Sequence, residues 1–416
     1  MKNIRLTRRK FLRSVSFSTI SVLVPSGKGG YSYEDIKGME KDGKVIGNIS
    51  KWEIDTPALL LDVDVFERNL KKMAEYCKEN DLLFRPHTKT HKCPVITKKQ
   101  ISSGAMGICT AKVSEAEVMV KDRIKDILIT SPVITPYKIK RLIELRKQTS
   151  GMMVVVDNPK NVEDLSEAAL SKKLKLDVLV DINPPEMDRT GIEPGIPAVE
   201  LAKNVVKSKG LRFRGIQCYA GYIQHVKGFE TRKERNLTCM EKAGETKKLI
   251  EKEGIEVEFF SGGGTGTYNI DHYVSGFTDV QVGSYIFMDV EYLAIGGKDF
   301  SYDYYGDFEP SLTVLTTAIS QPAKGKITVD AGKKSFATDG PLPVLKNIKG
   351  VSYNFRGDEH GEIKFEEPSK DINIGDKVEV IVPHCDPTVN LYDYYYCIRN
   401  DKLEAIWKIS GRGKSQ

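Results

Sequence analysis

Two stretches of the chain carry groups that could do chemistry together: "RPHTKTHK" (Arg85 to Lys92) and "SGGGTGTY" (Ser261 to Tyr268). A lysine held in a partly desolvated place has a depressed pKa, and its neutral amine can attack an aldehyde. Lys89 is the candidate in the first stretch, with Arg85, His87 and His91 around it and Lys92 outside that setting. The second stretch sets four glycines among Ser and Thr hydroxyls. Such a loop can bare successive backbone N–H groups to a phosphate. A reactive lysine facing a phosphate cup suggests pyridoxal phosphate, with its aldehyde on Lys89 and its phosphate on Ser261, Gly262, Gly263, Gly264 and Thr265. A third group is His384 and Asp386 in "KVEVIVPHCDPTVN". Strand parity would put both on one face with Val378, Val380 and Val382, where imidazole and carboxylate could chelate a divalent cation. A nitrogen and oxygen ligand set without thiolate favours Mn²⁺, Co²⁺ or Mg²⁺ over a closed Zn²⁺ site.

These residues need a frame that brings them together. From about residue 54 to 300, eight short β-branched runs alternate with helix-patterned segments: "LLFRPHTK", "AMGICTA", "DILITSP", "MMVVVDN", "KLDVLVDIN", "RFRGIQCY", "VEFFSGGG" and "DVQVGSY". The pattern predicts an α/β fold, a (β/α)8 TIM-type barrel. Barrel active sites lie at the C-terminal ends of the strands. That puts Lys89 after the first strand on an extended strand end, and Arg189 of "DINPPEMDRTG" after the fifth. Tyr219, Gln224 and His225 of "QCYAGYIQH" follow the sixth strand, and the glycine loop follows the seventh. From 301 to 416 the text alternates at period two with Gly and Asp turns, which predicts a C-terminal, mostly antiparallel β domain carrying the cation site. The apolar run "TPALLLD" ahead of the barrel would cross between the two units, and residues 28–53 read as a linker and N-terminal segment.

The net charge of +6 is not a nucleic-acid footprint. Six of the 63 Lys and Arg lie in the first thirteen residues, which hold no acid, and the rest equal the 57 Asp and Glu in number. That leader, "TRRKFLR" before a short apolar stretch, predicts a twin-arginine export signal over 1–27 and a periplasmic location, with the cytoplasm as the alternative. No run is long and apolar enough to span a membrane. Seven scattered Cys without CxxC spacing exclude a disulfide framework and a zinc ribbon.

Taken together, "RPHTKTHK", "GICTAKVSEAE", "DILITSPV", "MDRTG", "SGGGTGTY", "QVGSYIFMD" and "HCDPTVNLYD" resemble the D-threonine aldolase and D-serine dehydratase family, pyridoxal-phosphate enzymes of the alanine-racemase-like fold. The likeness runs from about Asp55 to Asp393. It implies that Lys89 is the Schiff-base lysine, that Arg189, Tyr219 and Tyr285 contact the cofactor, and that His384 and Asp386 hold the metal. Dehydratases of the family have Cys two residues after the His, whereas the aldolases have Asp, as here. The resemblance therefore implies retro-aldol cleavage of D-threonine or a related β-hydroxy-D-amino acid to glycine and an aldehyde, with His225 as base, in a homodimer. The alternatives are a dehydratase acting on D-serine or D-3-hydroxyaspartate, an amino-acid racemase, and a non-catalytic pyridoxal-phosphate-binding protein. Tyr222 stands where small residues are more usual, which leaves room for a different side chain on the substrate.

Overall fold

The computed structural model describes residues 30–41 and 46–416, so the leader expected over 1–27 lies outside the described residues. Strand β1 (Ala58–Asp62) is followed by eight parallel strands: β2 (Leu83–Phe84), β3 (Ile108–Thr110), β4 (Ile127–Ile129), β5 (Met153–Val156), β6 (Leu176–Ile182), β7 (Leu211–Cys218), β8 (Phe259–Gly262) and β9 (Asp279–Val280). Their order is β2-β9-β8-β7-β6-β5-β4-β3, and a parallel bridge from His87 to Cys109 joins the two edges. All eight runs anticipated from the sequence are strands of this (β/α)8 barrel. Strands covered on both faces read as near-continuous apolar runs. Accordingly β5 and β6 are buried at every position. Met153 and Val155 point inward with Leu128, Leu179 and Phe259, while Val154 and Val156 pack outward against the helix layer.

The outer helices are α2 (Val63–Glu79), α3 (Pro94–Ser102), α4 (Val113–Lys121), α5 (Pro136–Gln148), α6 (Pro159–Ser171), α7 (Ile196–Lys207) and α8 (Phe229–Lys252), after an N-terminal α1 (Tyr33–Lys41). Proline opens α3, α5 and α6, where its missing N–H costs nothing and its fixed φ suits a helix start. Among the described residues no helix is long and apolar enough to cross a membrane.

A short helix α9 (Val290–Leu293) leads to the second unit: β10 (Leu312–Ala323), β11 (Lys326–Val329), β12 (Val344–Leu345), β13 (Val351–Phe355), β14 (Gly361–Phe365), β15 (Lys377–Ile381), helix α10 (Cys385–Val389), β16 (Tyr394–Arg399) and β17 (Lys402–Lys408). Every pairing within this C-terminal part is antiparallel. The crossing expected of "TPALLLD" is seen, and it moves the start of the barrel from about residue 54 to beyond Asp62. Strand β1 pairs antiparallel with β10 and parallel with β16, so it belongs to the second sheet and not to the barrel. An apolar run has no period to tell one sheet from the other, and pairing partners decide it. Of the segment expected as a linker, the described residues Ile36 and Ile49 pack with Ile54, Leu60, Leu315 and Leu403 on that sheet.

Candidate active site

Lys89 does not continue an extended strand. After His87 the chain makes a turn over Thr88–His91, closed by Lys92 N–H donating to the Thr88 carbonyl (2.7 Å). The turn aims Lys89 at the other domain, where its Nζ donates to Asp386 Oδ2 at 2.5 Å. The expected pKa depression is reversed. The carboxylate of Asp386 raises the Lys89 ammonium above its ordinary value, outweighing desolvation, because an opposite charge in contact favours the charged form. Reciprocally, although burial opposes it, the Lys89 charge holds the Asp386 carboxyl well below the usual range. Lys92 is buried and paired with Glu115 (2.6 Å), and His91 is buried against Gln100 (3.2 Å), so neither shares this setting.

His384 and Asp386 are not on one strand face. Strand β15 stops at Ile381, His384 is the residue before α10, and Asp386 lies in the first turn of that helix. Pro383 and Pro387 flank the pair in sequence; a helix start tolerates Pro, whereas a ladder does not. A carboxylate from the barrel fixes the helix: Asp289 accepts from Cys385 N–H (2.9 Å) and from Tyr292 N–H of α9 (2.9 Å). The His384 ring sets Nδ1 3.0 Å from Asp339 Oδ2, which leaves Nε2 for another partner. Asp386 Oδ1 is buried without a hydrogen-bond partner. Among the described residues no three His, Cys, Asp or Glu side chains are grouped to hold a metal.

The glycines after β8 have a reason beyond close approach to a ligand. A Cβ on Gly262 would lie 2.0 Å from the Cys218 carbonyl oxygen, on Gly263 2.0 Å from Asp271 Oδ2, on Gly264 2.7 Å from Gln224 Oε1, and on Gly266 2.1 Å from the Gln224 carbonyl oxygen. Gly263 also has φ +61°, which glycine adopts freely. The loop is thus pressed from beneath by Gln224 and Asp271, and its upper side, Gly264 and Thr265, faces a cavity of about 720 Å³. Gln224 holds the loop by accepting from Gly266 N–H (3.0 Å) and donating to Thr267 (3.0 Å).

That cavity opens at the C-terminal ends of the barrel strands, and His87, Lys89, Arg189, Tyr219 and Tyr292 line it. The Arg189 guanidinium lies over the Tyr219 ring, 5.4 Å from its centroid. A polar chain crosses the barrel: Ser261 donates to Asp279 (2.5 Å), Gln281 to Ser261 (2.9 Å) and Gln217 (3.1 Å), and Gln217 to Asp181 (2.8 Å). Arg85 closes one end, 3.5 Å from Asp279. At the other, burial pushes the Asp181 carboxyl up to about 7. His225 is in the turn after β7, its ring 4.5 Å from that of Tyr292 and its Nδ1 3.6 Å from Glu291. Burial lowers its pKa from the ordinary value, which keeps the imidazole neutral and able to accept a proton.

The fold therefore brings Lys89, Arg189, Tyr219, Gly264 and Thr265 to one cavity, with Asp386 in contact through Lys89. Ser261 is turned into the barrel, Gly262 and Gly263 lie below the cup, and the Tyr285 ring is buried with its hydroxyl accepting from Gln100 (3.2 Å). The Tyr285 backbone N–H instead steadies Thr265 Oγ1 (3.0 Å). Tyr222 is not a cavity wall: its hydroxyl donates to the Pro185 carbonyl (2.9 Å), tying down the loop that carries Arg189. Gly283 and Ser284 line the cavity beside the glycine loop and were passed over in the sequence. The signal for them was "VGSY", a second Gly-Ser turn after the eighth strand. Residues 357–360 form the exposed turn between β13 and β14.

Comparison with known proteins agrees with the two-unit fold. The family description "Alanine racemase, N-terminal domain" matches residues 61–291, and a serine dehydratase domain matches residues 311–398. The chain is 37% identical over 386 residues to 3-hydroxy-D-aspartate aldolase of Paracoccus denitrificans, covering 92% of this chain and 96% of the relative. It is 36% identical over 366 residues to D-threonine aldolase of an Arthrobacter species, covering 87% and 94%. The crystal structure of D-threonine aldolase from Filomicrobium marinum superposes with a TM-score of 0.83 at 38% identity, covering 88% of this chain and 97% of that one.

Proposed function

Since the chain belongs to the alanine-racemase-like pyridoxal-phosphate family that includes D-threonine aldolase and 3-hydroxy-D-aspartate aldolase, we propose that Lys89, His225, His384 and Asp386 carry its reaction on D-threonine. The protein is a carbon–carbon lyase that cleaves β-hydroxy-D-amino acids by a retro-aldol step. The observation that supports the residue assignment is the contact between Lys89 and Asp386, two groups that this reading needs side by side.

Pyridoxal phosphate, when bound, supplies an aldehyde for the substrate amine and a pyridine ring that accepts the electron pair of the broken Cα–Cβ bond. The cavity fits it: an amine at one side, Gly264, Thr265, Gly283 and Ser284 at another, and an aromatic wall from Tyr219. Lys89 would hold the group at its aldehyde, through its amine. Arg189, at the rim, pairs with an anionic oxygen of cofactor or substrate. His225, neutral and sheltered by Tyr292, takes the β-hydroxyl proton. As that proton leaves, Cα–Cβ breaks, the aldehyde departs, and protonation of Cα gives glycine.

His384 and Asp386 hold a divalent cation in this reading. The unpartnered Asp386 Oδ1 and the His384 ring fixed through Nδ1 by Asp339 suit that role, since a ligating imidazole usually gives its other nitrogen to a carboxylate. Two protein ligands leave the rest of the coordination sphere to water and substrate oxygens, as Mn²⁺ or Mg²⁺ accept. Its Lewis acidity would ease ionisation of a hydroxyl whose pKa lies far above neutrality. The test is D-threonine with pyridoxal phosphate and Mn²⁺, with and without chelator. Acetaldehyde and glycine, lost on chelation, are expected; ammonia and 2-oxobutanoate would replace this reading with a dehydratase.

A further inference from the structure

Beneath the glycine loop lies a carboxylate that the reaction does not use. Asp271 is fully buried, and its Oδ2 occupies the place where a side chain on Gly263 would begin. It accepts from Thr267 Oγ1 (2.8 Å) and from Asn236 Nδ2 (2.8 Å). Thr267 in turn accepts from Gly264 N–H (3.2 Å), the residue whose other side faces the cavity. One chain of hydrogen bonds thus runs from a buried acid to the floor of the cup, through neutral groups only.

No cation offsets the acid. Asp271 forms no ion pair among the described residues, and the groups facing it from neighbouring elements are the Tyr76 hydroxyl of α2 and the Cys218 thiol of β7, both raised by burial and uncharged near neutrality. Arg232 of α8 spends its guanidinium on carbonyls, including Gly266 (2.7 Å). The His272 ring turns away to the Tyr76 hydroxyl (3.1 Å). Burial pushes the Asp271 carboxyl up to about 7, so little free energy separates its two protonation states near neutrality. A dianion brought onto the other side of Gly264 favours the neutral form, because like charges in a low-dielectric site disfavour ionisation.

Resting on the pyridoxal-phosphate reading above, we propose that Asp271 is a positioning residue that props the phosphate loop through Thr267, and that seating the cofactor's phosphate is coupled to proton uptake by this carboxyl.

The measurement is the affinity of the full-length protein for pyridoxal phosphate, from the absorbance of the lysine-bonded cofactor, at pH 6 and pH 8.5, in wild type and Asp271→Asn. Protonation of the cofactor and of Lys89 is common to both proteins and cancels in their ratio. Asp271→Asn should bind about as tightly as wild type at pH 6, where both are neutral, and up to about tenfold more tightly at pH 8.5. A ratio that does not change with pH overturns the coupling. Asp271→Ala, which removes prop and charge together, should bind about tenfold more weakly than Asp271→Asn at both pH values; affinity equal to that of Asp271→Asn overturns the positioning role. Should the variants fail to fold, wild type alone decides: at pH 8 it should take up a larger fraction of a proton with pyridoxal phosphate than with pyridoxal, and equal uptake refutes the coupling. A wild type that takes no pyridoxal phosphate overturns the cofactor reading itself, a result distinct from binding without proton uptake.

Discussion

Lys89 Nζ meets Asp386 Oδ2 at 2.5 Å across 297 positions of sequence, so the amine of the barrel and the carboxylate of the β domain form a single ion pair at the cavity edge. The pair is a contact between the two units, and neither residue has that environment without the other. Lys89→Ala should abolish the cofactor's yellow absorbance and lower cleavage by about a thousandfold or more. A visible spectrum and an activity check this together, and a yellow, active variant would move the role to another lysine.

Asp289 holds the His-x-Asp helix to the barrel by accepting from Cys385 N–H, and holds α9 by accepting from Tyr292 N–H. Asp289→Ala leaves both buried donors without an acceptor. The variant should keep its cofactor spectrum, because Asp289 bonds neither Lys89 nor the glycine cup, yet lose at least about tenfold in kcat as Asp386 and Tyr292 shift. Steady-state kinetics on the yellow protein separate the two effects.

Asp339 orients His384 through Nδ1. Asp339→Ala should raise the Mn²⁺ concentration needed for half-maximal activity about tenfold, with little change at saturating cation. A Mn²⁺ titration of the rate reads this directly.

Asp181, buried with Gln217 and Thr190 as donors, has its carboxyl pushed up to about 7 by burial. A carboxyl raised in the folded state keeps a proton that the unfolded chain has lost, so its contribution is fully present below about pH 4 and is lost as pH rises through about 7. Asp181→Asn should match wild type in relative stability at low pH and gain on it between about pH 4 and 7, by a few kcal/mol. Urea unfolding at three pH values tests the sign; a difference independent of pH would contradict it.

Arg232 is wholly buried and donates to the carbonyls of Val226 (2.8 Å), Gly266 (2.7 Å), Ile295 (2.9 Å) and Gly296 (2.7 Å). It stitches the turn bearing His225, the phosphate loop and the segment leaving the barrel. Arg232→Met removes every one of these donors at once and should cost about 3 kcal/mol or more, seen as a lower urea midpoint.

Much of this was legible in residue order. Eight β-branched runs with helical spacers dictated a barrel, because parallel strands buried on both faces must be apolar and their crossovers must be helices. Strand ends in a barrel put the "RPHTKTHK" stretch, Arg189, Tyr219 and the glycine loop at one mouth, while the choice of Lys89 among the lysines rested on the family resemblance. The sequence also carried the loop's glycines, though not their reason, which is the pressure of Gln224 and Asp271 from below. Tertiary structure alone decided the rest. Strand β1 joined the second sheet because its hydrogen-bond partners are β10 and β16, far along the chain. The parity that placed Lys89 and the His-x-Asp pair failed where extended chain gave way to a turn and a helix. Above all, a lysine's readiness to give up its proton depends on which charge stands beside it in space, and the charge beside Lys89 comes from the other domain.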